Sequence, residues 1–227
     1  MTGMRIALTG GIAAGKSTVS RRLQSLGAYV IDYDELSRAV IEPGSVALQR
    51  IVSRFGSAAL DAKGRLNRSW MASQVFAPGH EREKKALEAI IHPQVYAQAA
   101  RLEEQMLKQG HASGIAKRDA DSSADARGSA APSIIVHEIP LLAEVAASIP
   151  FVFEHVISVE APVDTRVERM VEERHMSQRD ALNRVNSQAT RYEREGVADI
   201  IIDSSEGIEQ MFERVDTVYE ELSEQAV

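Results

Sequence analysis

Gly10-Gly11-Ile12-Ala13-Ala14-Gly15-Lys16-Ser17-Thr18 is the stretch of this chain whose residue types and spacing speak most directly of chemistry. It satisfies G-x-x-x-x-G-K-[ST] and lies between an apolar run, Met4 to Thr9, and a helix-like VSRRLQSLG. That is the strand–loop–helix setting the pattern requires. Gly10 and Gly15 permit a tight backbone path, and the loop's N–H groups together with the helix N-terminus form an anion cradle for nucleotide phosphates. Lys16 is expected to reach the β- and γ-phosphates and the Ser17 hydroxyl to ligate magnesium. The expected nucleotide contacts are Gly11, Ala13, Ala14, Gly15, Lys16, Ser17 and Thr18.

A second chemical cluster is Val30-Ile31-Asp32-Tyr33-Asp34, two carboxylates at the carboxyl end of a predicted strand. In open α/β sheets that edge binds ligands. Asp32 and Asp34 project the same way if the strand persists that far. One is then placed to hold magnesium, the other to accept a hydrogen bond from an attacking hydroxyl. The alternative is that Asp34 caps a helix from Glu35 to Ile41. Glu138 ends a third predicted strand just before Ile139-Pro140-Leu141-Leu142, to help magnesium through water or to cap the turn. Seven arginines lie between Arg166 and Arg194, interleaved with Glu168, Glu172, Glu173, Asp180, Glu193 and Glu195. Most of these charges read as a solvated helix face; Arg174 and Arg191 are the two expected to serve function. Ser177-Gln178-Arg179-Asp180 reads as a helix cap. The six histidines show no zinc spacing. His92 before Pro93 reads as a break between two helices.

The elements that must position these groups follow from apolar patterning. Five β-rich segments, Met4 to Thr9, Ala28 to Asp32, Ser133 to Ile139, Val152 to Val159 and Asp199 to Asp203, are mostly continuous apolar runs, as expected for strands covered on both faces of a parallel sheet. The last helix carries Ile208, Met211, Phe212, Val215, Val218, Tyr219 and Leu222 as one buried stripe. About a hundred residues separate the second and third strands, more than one crossover needs. Residues 35–108 read as a helical subdomain interrupted at Pro93. Residues 109–132, polar and charged with Ile115 as the only bulky apolar residue, read as a mobile surface loop. Leu60 to Arg65 reads as a turn, with Arg68 after it as a candidate phosphate contact in the substrate domain. The core is then 1–34 with 133–227.

With 227 residues, a net charge of -7 and no cysteine, thiolate chemistry and disulfides are excluded, and nonspecific attraction to nucleic acid or an anionic membrane is not expected. No run approaches the roughly 20 apolar residues of a membrane span. The chain reads as a cytoplasmic α/β enzyme, a monomer or weak homo-oligomer.

ALTGGIAAGKST, VIDYDELSRAVIEPG, LNRSWMASQVF, IIHPQVY, EIPLLAE and ERHMSQRDALNRVNSQATR with ADIIIDS resemble, in order and spacing, dephospho-coenzyme A kinase. The resemblance implies transfer of the ATP γ-phosphoryl to the ribose 3′-hydroxyl of dephospho-coenzyme A, the last step of coenzyme A biosynthesis. It implies a P-loop kinase fold: a five-stranded parallel core, an inserted helical substrate-binding domain and a helical lid, here about 166–194. By motif, Lys16 is the phosphate lysine, Asp34 the base or hydroxyl orienter, and Arg174 the lid arginine. Arg191 falls on the ATP side, and Thr9, Asp32 and His92 on the acceptor side. Three departures stand out. Ala13 occupies a position where glycine is frequent, the segment after Arg174 is one residue shorter than usual, and Gly110 to Pro132 is longer. Other small-molecule or nucleoside monophosphate kinases share the loop and lid, and a nucleotide-dependent switch shares the loop alone.

Overall fold

The computed structural model describes residues 3–118 and 134–226. It divides into two compact units, Met1–Asp32 with Glu103–Val227, and Tyr33–Leu102.

The first unit is a five-stranded parallel sheet: β1 (Met4–Gly10), β2 (Tyr29–Asp32), β3 (Ile134–Glu138), β4 (His155–Glu160) and β5 (Ile200–Asp203), in the order β2-β3-β1-β4-β5. The five predicted strands and their parallel arrangement are thus present. All five residues of β3 are buried, which is why its sequence runs apolar without alternation. β1 is central, with Ile6 opposite Val136 on one side and His155 on the other.

Helix α1 (Lys16–Ser25) and the C-terminal helix Ile208–Gln225 share one core with the sheet, made by Ile6, Leu8, Val19, Leu23, Ile157 and Ile202 among others. The C-terminal helix contributes Met211, Val215, Val218 and Leu222 at spacings of four, three and four, each worth about 1.5–3 kcal/mol when fully buried. Ile208, expected in that stripe, is instead 58% exposed, because it opens the helix, beyond the reach of the sheet.

β4 corrects a second expectation, since it starts at His155 rather than Val152. Glu154 donates its N–H to the Arg5 carbonyl at 2.9 Å, and its carboxylate accepts the Arg5 N–H at 2.8 Å. A side-chain oxygen has taken the donor that a longer ladder would use.

The second unit begins with α2 (Tyr33–Ala39) directly after β2. The strand does not persist to Asp34, so alternation does not align the two aspartates. Asp34 is also not an N-cap; it is the second residue of the helix, in the first turn, where a carboxylate opposes the helix dipole's positive end. Helix α3 (Val46–Phe55) is capped by the Ser45 hydroxyl, and α4 (Arg68–Val75) by Asn67, whose Oδ1 accepts the Trp70 N–H at 3.1 Å. Ile41, Ile51, Met71 and Val75 form the core of this unit, with Trp70, Leu87, Ile90 and Ile91 packed on it.

Helix α5 (Glu81–Arg118) passes through Pro93 without ending, so the expected break at His92-Pro93 is absent. Proline inside a helix costs one hydrogen bond and about 3 kcal/mol. Here Pro93 is exposed, while Ile90 and Ile91 before it and Val95 and Ala99 after it are tied down by packing. The helical backbone reaches Arg118, so residues 109–118 of the expected loop are helix, and 119–132 lie outside the described residues.

Helices α6 (Leu142–Val145), α7 (Val163–Arg174), α8 (Gln178–Asn186), α9 (Arg191–Glu195) and α10, the Ile208–Gln225 helix, complete the chain. Ser177 caps α8 as expected, its hydroxyl accepting the Asp180 N–H at 3.1 Å.

Candidate active site

β1 delivers the chain to the phosphate loop at the carboxyl edge of the sheet, and α1 leaves it. Gly15 has φ 94 and stands as the residue before α1, a left-handed conformation that glycine adopts without strain. Ala13 has φ 58, so the position where a glycine was noted as frequent does require the left-handed region. An alanine there costs about 1–2 kcal/mol.

The bend is held by side chains from the other end of the unit. Ile12 donates its N–H to Gln188 Oε1 at 2.8 Å. The Ala13 carbonyl accepts from Arg169 Nη1 at 3.2 Å, and the Ala14 carbonyl from the Ser204 hydroxyl at 2.5 Å. Arg169 also donates to the Ser204 carbonyl at 2.6 Å. A strained backbone persists where its surroundings over-determine it, and three consecutive loop residues are fixed in this way.

Behind Gly11 lies a buried charge cluster. Arg194 forms a bidentate pair with Glu160, Nε to Oε1 at 2.8 Å and Nη2 to Oε2 at 2.5 Å, while the Ser158 hydroxyl donates to Glu160 Oε1 at 2.8 Å. Arg166 is 3% exposed, its Nη1 fills the space a Cβ at Gly11 would need, and its Nε and Nη1 have no acceptor among the described residues. Burial pulls the Arg166 guanidinium below its ordinary pKa, the neighbouring Arg194 charge adds to this, and Glu160 opposes it. Two guanidiniums against one carboxylate leave one positive charge in surplus behind the loop, the sign a phosphate ligand needs.

Lys16 opens α1, and its Nζ donates to Glu138 Oε1 at 2.7 Å. Glu138 stands opposite Asp32 on the neighbouring strand, so a lysine and two carboxylates meet at the carboxyl ends of β2 and β3. Ser17 is exposed in the first turn of α1 and Thr18 is half-buried. Thr9 is fully buried, with no hydrogen-bond partner for its Oγ1 among the described residues.

In the second unit, Asp34 is exposed on α2. His92 is half-buried with its ring 5.8 Å from that of Tyr96, which in turn lies 6.3 Å from Tyr33.

The sequence model of the dephospho-CoA kinase family matches residues 4–116 and 119–210. The chain belongs to the dephospho-CoA kinase family. Proteins named dephospho-CoA kinase from Bifidobacterium longum and Thermobifida fusca are 47% and 39% identical to it, each over 96% of this chain and 96% of the relative. A crystal structure from Thermus thermophilus matches with TM-score 0.71 at 27% identity, covering 98% of this chain and 99% of that one. The dephospho-CoA kinase of Campylobacter jejuni shares the fold, with TM-score 0.56 at 21% identity over 97% of each chain.

In this dephospho-CoA kinase family member most of the charges between Arg166 and Arg194 are exposed, as expected, Arg179 and Arg184 among them, while Arg166 and Arg194 are buried and Arg169 is half-buried. Arg174 is exposed at the end of α7, before His175 in a left-handed conformation, and Arg191 is exposed and paired with Glu195 at 2.6 Å. Arg169, five residues before Arg174 on α7, donates to the phosphate loop at the Ala13 carbonyl. Reasoning from sequence passed over Arg166, Arg169, Gln188, Arg194, Glu160 and Ser204. One signal was available: Arg166 stands four residues before Met170, inside the buried stripe of α7, and an arginine in such a stripe needs a reason. Glu160 likewise closes β4 after the apolar residues Val156, Ile157 and Val159.

Proposed function

We propose that the protein carries out direct, in-line phosphoryl transfer with no covalent enzyme intermediate. The activity is that of the family: an ATP-dependent kinase acting on dephospho-CoA. The 3′-hydroxyl of the acceptor ribose gives its proton to the Asp34 carboxylate. Its oxygen bonds to the γ-phosphorus, and the bond from that phosphorus to the β–γ bridging oxygen breaks, so ADP leaves with the electron pair. The N–H groups of Gly11, Ala13, Gly15, Lys16 and Ser17 and the Lys16 ammonium hold the β- and γ-phosphates, and Lys16 exchanges Glu138 for them. Arg169, which grips Ala13, and the surplus charge of Arg166 offset the negative charge of the transferring group. Arg174 and Arg191 extend this from the lid helices when they close, and His92 contacts the acceptor.

The donor set fits magnesium. The Ser17 hydroxyl and the Asp32 and Glu138 carboxylates are hard oxygen ligands, and among the described residues no group of three or more His, Asp or Glu could hold a metal alone, the pattern of an ion that arrives with its nucleotide. When bound, it neutralises charge on the β- and γ-oxygens. No helix among the described residues is long and apolar enough to cross a membrane, in keeping with a cytoplasmic site of action.

The observation that carries this reading is the phosphate loop itself, with Lys16 ion-paired at the carboxyl edge of a parallel sheet beside two carboxylates. The test is ADP release with magnesium and ATP, comparing dephospho-CoA, adenosine, AMP and no acceptor, with the product weighed by mass spectrometry. Release that depends on dephospho-CoA and adds one phosphate to it is expected; equal release without acceptor refutes it. Asp34→Asn is expected to lower kcat by about 10²–10⁴, the usual worth of a general base, with ATP binding retained. Wild-type kcat in that variant would remove Asp34 from the chemistry.

A further inference from the structure

The Tyr33–Leu102 unit contains a cavity of about 340 Å³, in the size range of small-ligand pockets. Its charged lining is Arg38, Glu42, Asp61, Arg65 and Arg68, with Asn67 beside them: three guanidiniums against two carboxylates. None of these residues belongs to the phosphate loop or to the chemistry assigned to Asp34.

Asp61 is already committed. It accepts the N–H groups of Lys63 and Arg65, each at 2.9 Å, and Arg65 Nε at 3.0 Å. These bonds, the Arg65 N–H foremost, keep its carboxyl below the usual range, so it stays ionised and bound to its own turn. Arg65 is thereby held as well. Arg38, in the last turn of α2, and Arg68, the first residue of α4, form no ion pair among the described residues. Two guanidinium forks from different helices, turned to one cavity without carboxylate partners, suit a group with several oxygens to share, such as a phosphate ester.

Position on α2 says which phosphate. Arg38 follows Asp34 by four residues, so the two lie on one face of the helix, about 6 Å apart along its axis. A ribose whose 3′-hydroxyl meets Asp34 carries its 5′-phosphate on the far side of the ring, at a separation comparable with that single turn. In dephospho-CoA the 5′-oxygen bears a diphosphate that leads to the pantetheine arm.

We propose that the cavity between Arg38 and Arg68 binds the 5′-diphosphate of the acceptor, and that this grip selects dephospho-CoA over nucleosides lacking a diphosphate. The site rests on the reading of Asp34 as the group facing the 3′-hydroxyl. Arg38 and Arg68 act as binding residues, Arg65 helps to fix the cavity wall through Asp61, and the site is complete within one unit of the chain.

The test is a comparison of kcat/KM for dephospho-CoA with that for adenosine, in the full-length wild type and in Arg38→Ala, Arg68→Ala and Arg68→Lys, each checked for a native thermal transition. The preference for dephospho-CoA is expected to fall 10- to 100-fold in each alanine variant, through KM for dephospho-CoA and with KM for ATP within twofold. Arg68→Lys, which keeps the charge and loses the fork, is expected to recover part of it. Added salt should weaken dephospho-CoA binding in the wild type more than in the variants. An unaltered preference, or an equal loss with both acceptors, overturns the site. Asp34→Asn separates the two readings. Wild-type kcat there, with the preference still lost on Arg68→Ala, sinks the role of Asp34 and keeps the cavity; lowered kcat with an intact preference in both alanine variants sinks the cavity alone.

Discussion

Replacing Arg166 with methionine should make this protein more stable and a poorer enzyme. The residue is 3% exposed, and its Nε and Nη1 find no acceptor among the described residues. Both Glu160 oxygens are occupied, by Arg194 at 2.8 and 2.5 Å and by Ser158 at 2.8 Å. Each buried donor left unmade costs about 1–3 kcal/mol, and part of that is offset by the attraction of Glu160, which opposes the depression of the Arg166 pKa. Methionine keeps most of the apolar stem and has neither orphan donor nor like-charge repulsion with Arg194. The expected net gain is about 1–3 kcal/mol, or roughly 2–4 °C in Tm per kcal/mol for a chain of this length. The assay is urea unfolding, read as a rise in the midpoint at constant m, beside KM for ATP, which should rise about tenfold through loss of the surplus charge behind Gly11. Glu160→Gln makes the complementary arm, leaving two buried guanidiniums without an anion. It should lose about 3–5 kcal/mol, part of it restored when Arg166→Met is added, because the two residues are coupled. A loss of more than about 1 kcal/mol in Arg166→Met alone would refute the reasoning, since its N–H groups would then be satisfied, by buried water, and the residue would belong to the fold.

Two further outcomes follow from other residues of the same unit. Ala13→Gly relieves a left-handed alanine worth about 1–2 kcal/mol. It also removes a methyl packed on the Val167, Met170, Ala181 and Val185 cluster, worth about 0.8 kcal/mol, and frees the unfolded chain by about 0.5–1 kcal/mol. Stability should therefore change by less than about 1 kcal/mol in denaturant, and a larger gain would show that the methyl contributes nothing. His137 is fully buried, and burial first, then the Arg5 charge, lowers its pKa to about 4. The unfolded chain then binds a proton near pH 6.5 that the folded protein refuses until about pH 4. Stability is complete above that window and is lost as pH falls through it, by up to about 3 kcal/mol at 1.36 kcal/mol per unit. His137→Phe should flatten that slope in unfolding experiments between pH 6.5 and 4, and an unchanged slope would assign the acid sensitivity to other groups.

The phosphate loop was legible in the sequence because its function is local. Lys16, Ser17 and the glycines act through backbone conformation and the start of one helix, all set within nine residues. The parallel sheet was legible for a related reason: strands covered on both faces need continuous apolar runs, and β3, buried at all five positions, is such a run. Local rules failed where a distant partner decided the outcome. Pro93 signals a break, yet the apolar residues on both sides of it pack well enough to carry α5 through. Val152 to Glu154 look like strand, yet the Glu154 carboxylate takes the hydrogen bond that would have extended it.

By itself, then, the sequence determined that the chain holds a nucleotide phosphate loop on a parallel α/β sheet with a helical insert. What it could not determine is which of the seven arginines from 166 to 194 serve that loop. Their local surroundings are alike, a mixture of cations and acids on short helices. Tertiary structure separates them: Arg169 grips Ala13, Arg166 and Arg194 share Glu160 behind Gly11, and Arg174 and Arg191 stay exposed. The physical reason is that a guanidinium's role depends on the acceptor and the solvent it meets, and the residues that supply or exclude these lie as far as 156 positions away along the chain.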